Sequence, residues 1–276
     1  MTATALRHEL GAFVGFLERQ RDLYRRFWAW EVVWFVYSLV SVMSIGYLAT
    51  GLEAAGATGV DLRATQLYLL AGSMLWSYLS LVFMEVAYAV GWERWEGTIE
   101  YTFMAPVKRA THLLGICAFS VLYGLARTAV VVVVALLVFH VDLSHADLLA
   151  AAVVLAAATV PLIGLGILIA ILPLLAPEKG EQMSTALQGL FLLVSGVYYP
   201  VSVLPLPLQA VGVLSPLTYT LSAIRDALLH HASVAAVLPA TGLLLLMGAV
   251  LIPVALWLFS RAERRAKRLG TLKRSG

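Results

Sequence analysis

An all-α membrane protein with six transmembrane helices is the fold class this sequence predicts, and three observations predict it. Of its 276 residues, 61% are hydrophobic and only 13% are charged, with a mean hydropathy of +0.88. Soluble domains sit nearer half apolar and a quarter charged. The apolar residues fall in long blocks such as 113–139 and 148–175, each able to cross a hydrocarbon core of about 30 Å. Lysine and arginine gather in alternate connections, as they do in multi-pass proteins.

Residues 6–27 predict an amphipathic helix lying in the membrane interface. Leu6, Leu10, Phe13, Phe16, Leu17, Leu23 and Phe27 share one side, while Arg7, Glu18, Arg19, Arg21, Arg25 and Arg26 fall largely elsewhere. The stretch is charged, unlike a cleavable leader, so the first span is expected to target the chain. Spans one and two occupy 28–90, with Trp28, Trp30 and Trp34 at the first headgroup boundary and a Gly-rich loop at 51–65 between them. A charged stretch, 91–109, precedes spans three to five in 112–199. A turn at 142–147 and a polar turn at 177–182 separate these spans, and Pro161, Gly164, Gly166 and Pro173 interrupt the fourth.

Residues 200–235 carry Pro200, Pro205, Pro207 and Pro216, which break any continuous span, yet 201–229 is too apolar for a free loop. A hairpin of two short helices re-entering the outer leaflet reconciles the two facts. The last span takes 236–260, and a basic tail, 261–276, completes one membrane domain over 1–276.

Charge fixes the expected orientation. Five Lys or Arg precede the first span, Arg94, Lys108 and Arg109 lie between the second and third, Lys179 lies after the fourth, and seven are in the tail. Only Arg63 and Arg225 fall on the opposite side, and Arg127 lies within the third span. This asymmetry puts both termini in the cytoplasm, with the chain in the cell's inner (plasma) membrane.

Function is concentrated in 91–109. Trp92, Trp95, Ile99 and Phe103 recur at helical spacing, with Glu93, Arg94, Glu96 and Glu100 charging the remaining surface and Pro106 ending the helix. A helix outside the bilayer with two tryptophans on one side needs a surface to bury them, on a partner protein or on lipid headgroups.

Glu96, Gly97, Thr98, Ile99 and Glu100, followed by Pro106, resemble the first cytoplasmic connection of ABC-2 type transporter permeases, the transmembrane subunits of ABC exporters. A second match is similar to that family's outer segment: Ser195, Gly196, Tyr198, Tyr199 and Pro200, then Pro216, Leu217, Thr218, Tyr219 and Arg225. The resemblance implies that 92–104 is a coupling helix seated in a cleft of a separate ABC ATPase subunit. It also implies a second copy of the chain, or a homologous permease, as partner. The helices of 200–235 would shape the outer gate, with Pro200, Pro216, Tyr219 and Arg225. Tyr101 and Thr102 depart from the more aliphatic family pattern. Gly97 within a helix costs about 1 kcal/mol relative to Ala, and close backbone approach is the expected reason for it.

A charged side chain in mid-membrane marks a functional site, so Arg127 is a candidate for the substrate path, with Glu85 as its expected partner. Tyr37, Tyr68, Trp76, Tyr198 and Tyr199 are suited to line a lipophilic route, for a drug, antibiotic, lipid or lipid-linked glycan. The chain has one cysteine, Cys117, and no metal-ligand spacing. It lacks a phosphate-binding loop and a nucleophile elbow, so ATP and Mg are expected on the partner, with no cofactor or catalysis here and no nucleic acid. The rival reading, an ATP-independent secondary transporter, would need acidic groups at mid-membrane.

Overall fold

The computed structural model describes residues 3–55, 61–141, 146–176 and 178–270, and all regular structure among them is helical. Parts of the loops expected at 51–65, 142–147 and 177–182, and the tail beyond 270, lie outside the described residues. In chain order come α1 (Ala3–Arg26), α2 (Trp28–Ala54), α3 (Leu62–Glu96) and α4 (Ile99–Met104). They are followed by α5 (Arg109–Phe139), α6 (Leu148–Ile169), α7 (Ile171–Leu175) and α8 (Gly180–Val194). A single 3-10 turn (Val201–Val203) precedes α9 (Leu206–Leu214), α10 (Pro216–Leu229) and α11 (Val234–Arg268).

Local chemistry sets several of these ends. Asp61 and Asp147 cap α3 and α6, each accepting from the backbone N–H three residues on, at 3.0 and 2.8 Å. α3 runs six residues past the predicted end of the second span, taking Gly91 in its stride and ending where Gly97 turns left-handed, so 91–96 is not part of a separate helix. α11 likewise continues to Arg268, making the first half of the basic tail an extension of the last span.

Among the described residues, five segments are long and apolar enough to cross a membrane: Trp28–Leu48, α3, α5, the α6–α7 pair and α11. The expected fifth span ends as a helix at Val194, and α8 has 15 residues. In the most apolar stretch of α3 and of α6–α7, 61% of residues are buried, against 11% in Trp28–Leu48 and 17% in α5. Those two therefore form the centre. Tyr78, Phe83, Leu113, Ile116, Leu162, Ile167, Leu174 and Phe259 share the main core. α6 and α11 approach closely, since a Cβ on Gly248 would lie 2.6 Å from Val160 Cγ1 and one on Gly164 2.8 Å from Leu251 Cβ. α1 lies along α5, with Tyr24 edge-on to Phe119 and Tyr123. Part of the apolar side expected to face lipid thus packs on the protein itself, while Leu6, Leu10 and Val14 stay exposed.

Candidate coupling surface and far-end closure

At the basic end of the bundle, α3 stops at Gly97, which is left-handed (φ 77°) and donates its N–H to Arg94 O at 3.2 Å. A Cβ here would meet nothing within 4 Å, so the backbone conformation, not close approach, explains the glycine. The chain is redirected into α4, and the expected stripe is split. Ile99 and Phe103 turn inward, and the Phe103 ring lies 6.4 Å from that of Phe259. Trp92 and Trp95 belong to the last turn of α3, with rings 5.2 Å apart and Trp92 edge-on to Phe27. Trp95, Glu96, Tyr101, Met104 and Pro106 face outward, Tyr101 at 77% and Met104 at 80% exposure. Glu100 is half-buried, and the Thr98 hydroxyl reaches back to Glu93 O at 3.4 Å.

Glu93 and Arg94, expected on a charged surface, are buried. Glu93 accepts from Arg19 of α1 and lies 3.1 Å from His112 Nε2 on α5; Arg94 donates to Leu174 O at 3.2 Å. Pairing lets the Glu93 carboxylate leave water, and a carbonyl acceptor does part of the same for Arg94. Arg109, in the first turn of α5, was not singled out from sequence. Its Nε lies 3.0 Å from both carboxylate oxygens of Glu263, while Nη1 and Nη2 donate to Thr102 O at 2.9 Å and Phe103 O at 2.5 Å. The available signals were a cation where the helix dipole disfavours one, and Glu263 as the lone acid of a basic tail.

At the opposite end, the backbone after α8 turns through Gly196 (φ 76°). Arg225, expected on an outer connection, is instead buried beneath this turn. It donates to Gly196 O at 2.7 Å, to Val197 O and to Tyr68 O at 3.3 Å, with its guanidinium carbon 3.6 Å from the Tyr68 ring centroid. The Ser195 and Ser215 hydroxyls are 3.1 Å apart. Tyr199 donates to Leu193 O and Tyr219 to Val213 O, each at 2.9 Å. Pro200 leads into the 3-10 turn, and Pro216 opens α10. A Cβ on Gly72 would fall 2.0 Å from Val197 O, so α3 touches this turn directly.

Arg127 donates to Trp34 O at 2.6 Å, on α2. Around it, Tyr123 donates to Glu31 at 2.6 Å and Tyr24 meets Glu85, so two carboxylates share this polar cluster. Tyr37 is exposed on α2, Trp76 packs edge-on to Phe83, Tyr198 leans on the main core, and Tyr68 belongs to the Arg225 cluster.

Among known proteins, the family model described as ABC-2 type transporter matches residues 12–229. No curated protein matches the chain.

Proposed function

Since this chain belongs to the ABC-2 type transporter family and is a multi-pass membrane protein, we propose that it is the permease subunit of an ATP-driven exporter. It assembles with a separate ABC ATPase subunit, which holds ATP and Mg, and with a second permease, a copy of itself or a homologue. α8 serves as the sixth crossing, and α9 and α10 re-enter the outer leaflet. At about 1.5 Å per residue, the 15 residues of α8 fall short of the bilayer, and the turn held by Arg225 completes the passage. Both termini face the cytoplasm, following the lysine and arginine asymmetry. The substrate is an amphiphile, in keeping with a route that carries few charges.

One observation carries this reading: at the basic end, the side chains of Trp95, Glu96, Tyr101 and Met104 stand exposed around the corner where α3 gives way to α4. Aromatic and methionine side chains of this kind anchor protein interfaces. Replacing Trp95 and Met104 by Ala in one variant should weaken binding of the ATPase by about 30-fold or more, with membrane insertion intact. Titrating purified ATPase against the reconstituted variant measures this, and unchanged affinity would refute the assignment.

The carboxylates of Glu31 and Glu85 beside Arg127 favour a second reading, an ATP-independent carrier using them as a coupling-ion site. Transport by proteoliposomes lacking the ATPase would establish that reading and remove the first.

A further inference from the structure

Resting on the permease reading, we propose that Arg109 is a positioning residue that fastens α4 to the cytoplasmic end of α11. A push delivered to α4 then moves α11, with α3 left behind at a hinge in Gly97.

The two joints of α4 are unequal. Six residues are too few for a self-sustaining helix, so α4 goes where its neighbours hold it. Toward α3 the link is a left-handed glycine in open space, one backbone hydrogen bond at 3.2 Å, the Thr98 hydroxyl contact at 3.4 Å and the apolar cluster that Ile99 and Phe103 share with Val86, Ala87 and Val90. Toward α5 and α11 it is a continuous set of charged contacts.

Thr102 O and Phe103 O belong to the last turn of α4, where carbonyls lack partners inside the helix. Both accept from the Arg109 guanidinium, whose Nε faces both oxygens of Glu263. Lys267 closes on the same carboxylate at 2.7 Å. The guanidinium carbon lies 4.6 Å from the Phe103 ring centroid, and Lys267 Nζ lies 5.6 Å from it. The same apolar cluster also takes in Ala255, Phe259, Ala262 and Ala266 along α11, so the charged contacts, not the apolar ones, distinguish the two joints. Side-chain exposures of 17% for Arg109 and 9% for Glu263 place the pair out of bulk water, where such contacts hold better than at a surface.

Only a planar fork of donors reaches two carbonyls and a carboxylate together; a lysine ammonium keeps the charge and loses the geometry. Arg109→Lys therefore tests the fastening apart from the charge.

The experiment is amide hydrogen exchange on the intact permease–ATPase complex in lipid, with and without ATP plus vanadate. In the wild type, trapping should change exchange across both α4 and the end of α11 by about fivefold or more, the lower range of coupling between sites. In Arg109→Lys the ATPase should still bind and hydrolyse ATP, and α4 should still respond, but the response of α11 should be lost. Glu263→Gln should lose it too, and serves if Arg109→Lys fails to fold. An α11 response that persists in both variants, or a wild type that responds in 90–96 of α3 and not in α11, would overturn the proposal. A wild-type chain that binds no ATPase at all would instead overturn the permease reading.

Discussion

Arg109 and Arg225 hold broken backbone together at opposite ends of the molecule, in surroundings that differ. Each guanidinium donates to carbonyls where a helix has ended, at 102–103 and at 196–197. Each turn has a left-handed glycine close by, Gly97 and Gly196. Arg109 is answered by the carboxylate of Glu263, beside a glycine with empty space around it. Arg225 is answered by three carbonyls and a tyrosine ring, and a Cβ on its glycine would touch Val201 at 3.0 Å. Both guanidiniums are largely out of water, so the difference between the ends lies in the backbone beside them, open at Gly97 and filled at Gly196. The same side chain therefore makes a joint at one end and a seal at the other.

The sharpest way to break this contrast is Arg225→Ala. It strands two buried carbonyls, Gly196 O and Val197 O, at about 1–3 kcal/mol each, so a loss of about 4 kcal/mol is expected as a large drop in melting temperature in detergent. A melting temperature near wild type would mean the far end is not sealed. Gly72→Ala comes next, at about 2 kcal/mol, because the new Cβ would press into Val197 O. Gly189→Ala is its control: that Cβ meets nothing within 4 Å, and alanine in a helix should stabilise by about 0.5–1 kcal/mol. At the joint, Gly97→Ala should cost only about 1–2 kcal/mol, the strain of a left-handed alanine. The smallest effect belongs to Glu263→Gln, about 1 kcal/mol in melting, because the amide oxygen still accepts from Arg109 and only the charge is lost. A seal-sized loss from either basic-end variant would erase the distinction between the two ends.

Much of the frame was legible in the residues. The apolar blocks announced α2, α3, α5, α6–α7 and α11, and the prolines of 200–235 announced a broken segment. The glycine that ends α3 could be read as special, though for the wrong reason. The fate of Trp92, Trp95, Ile99 and Phe103 could not be read at all. All four satisfy one helical period, but a period identifies a face only while the helix runs on, and Gly97 interrupts it. Glu93 and Arg94 looked solvated, and nothing local tied Arg225 to a turn, because composition cannot reveal that Arg19, His112, the Leu174 carbonyl and the turn at 196–197 come from distant stretches to meet them.

What the sequence determined by itself was membership of the bilayer and the order of its helices, since burial in hydrocarbon depends on runs of neighbouring residues. Which charges are hidden, which aromatic side chains remain free for a partner and which helix α4 is fastened to were decided only in the tertiary structure. Those outcomes rest on pairs such as Arg109 with Glu263, separated by most of the chain, and a pairing of that kind exists only once packing has brought its members within hydrogen-bonding reach.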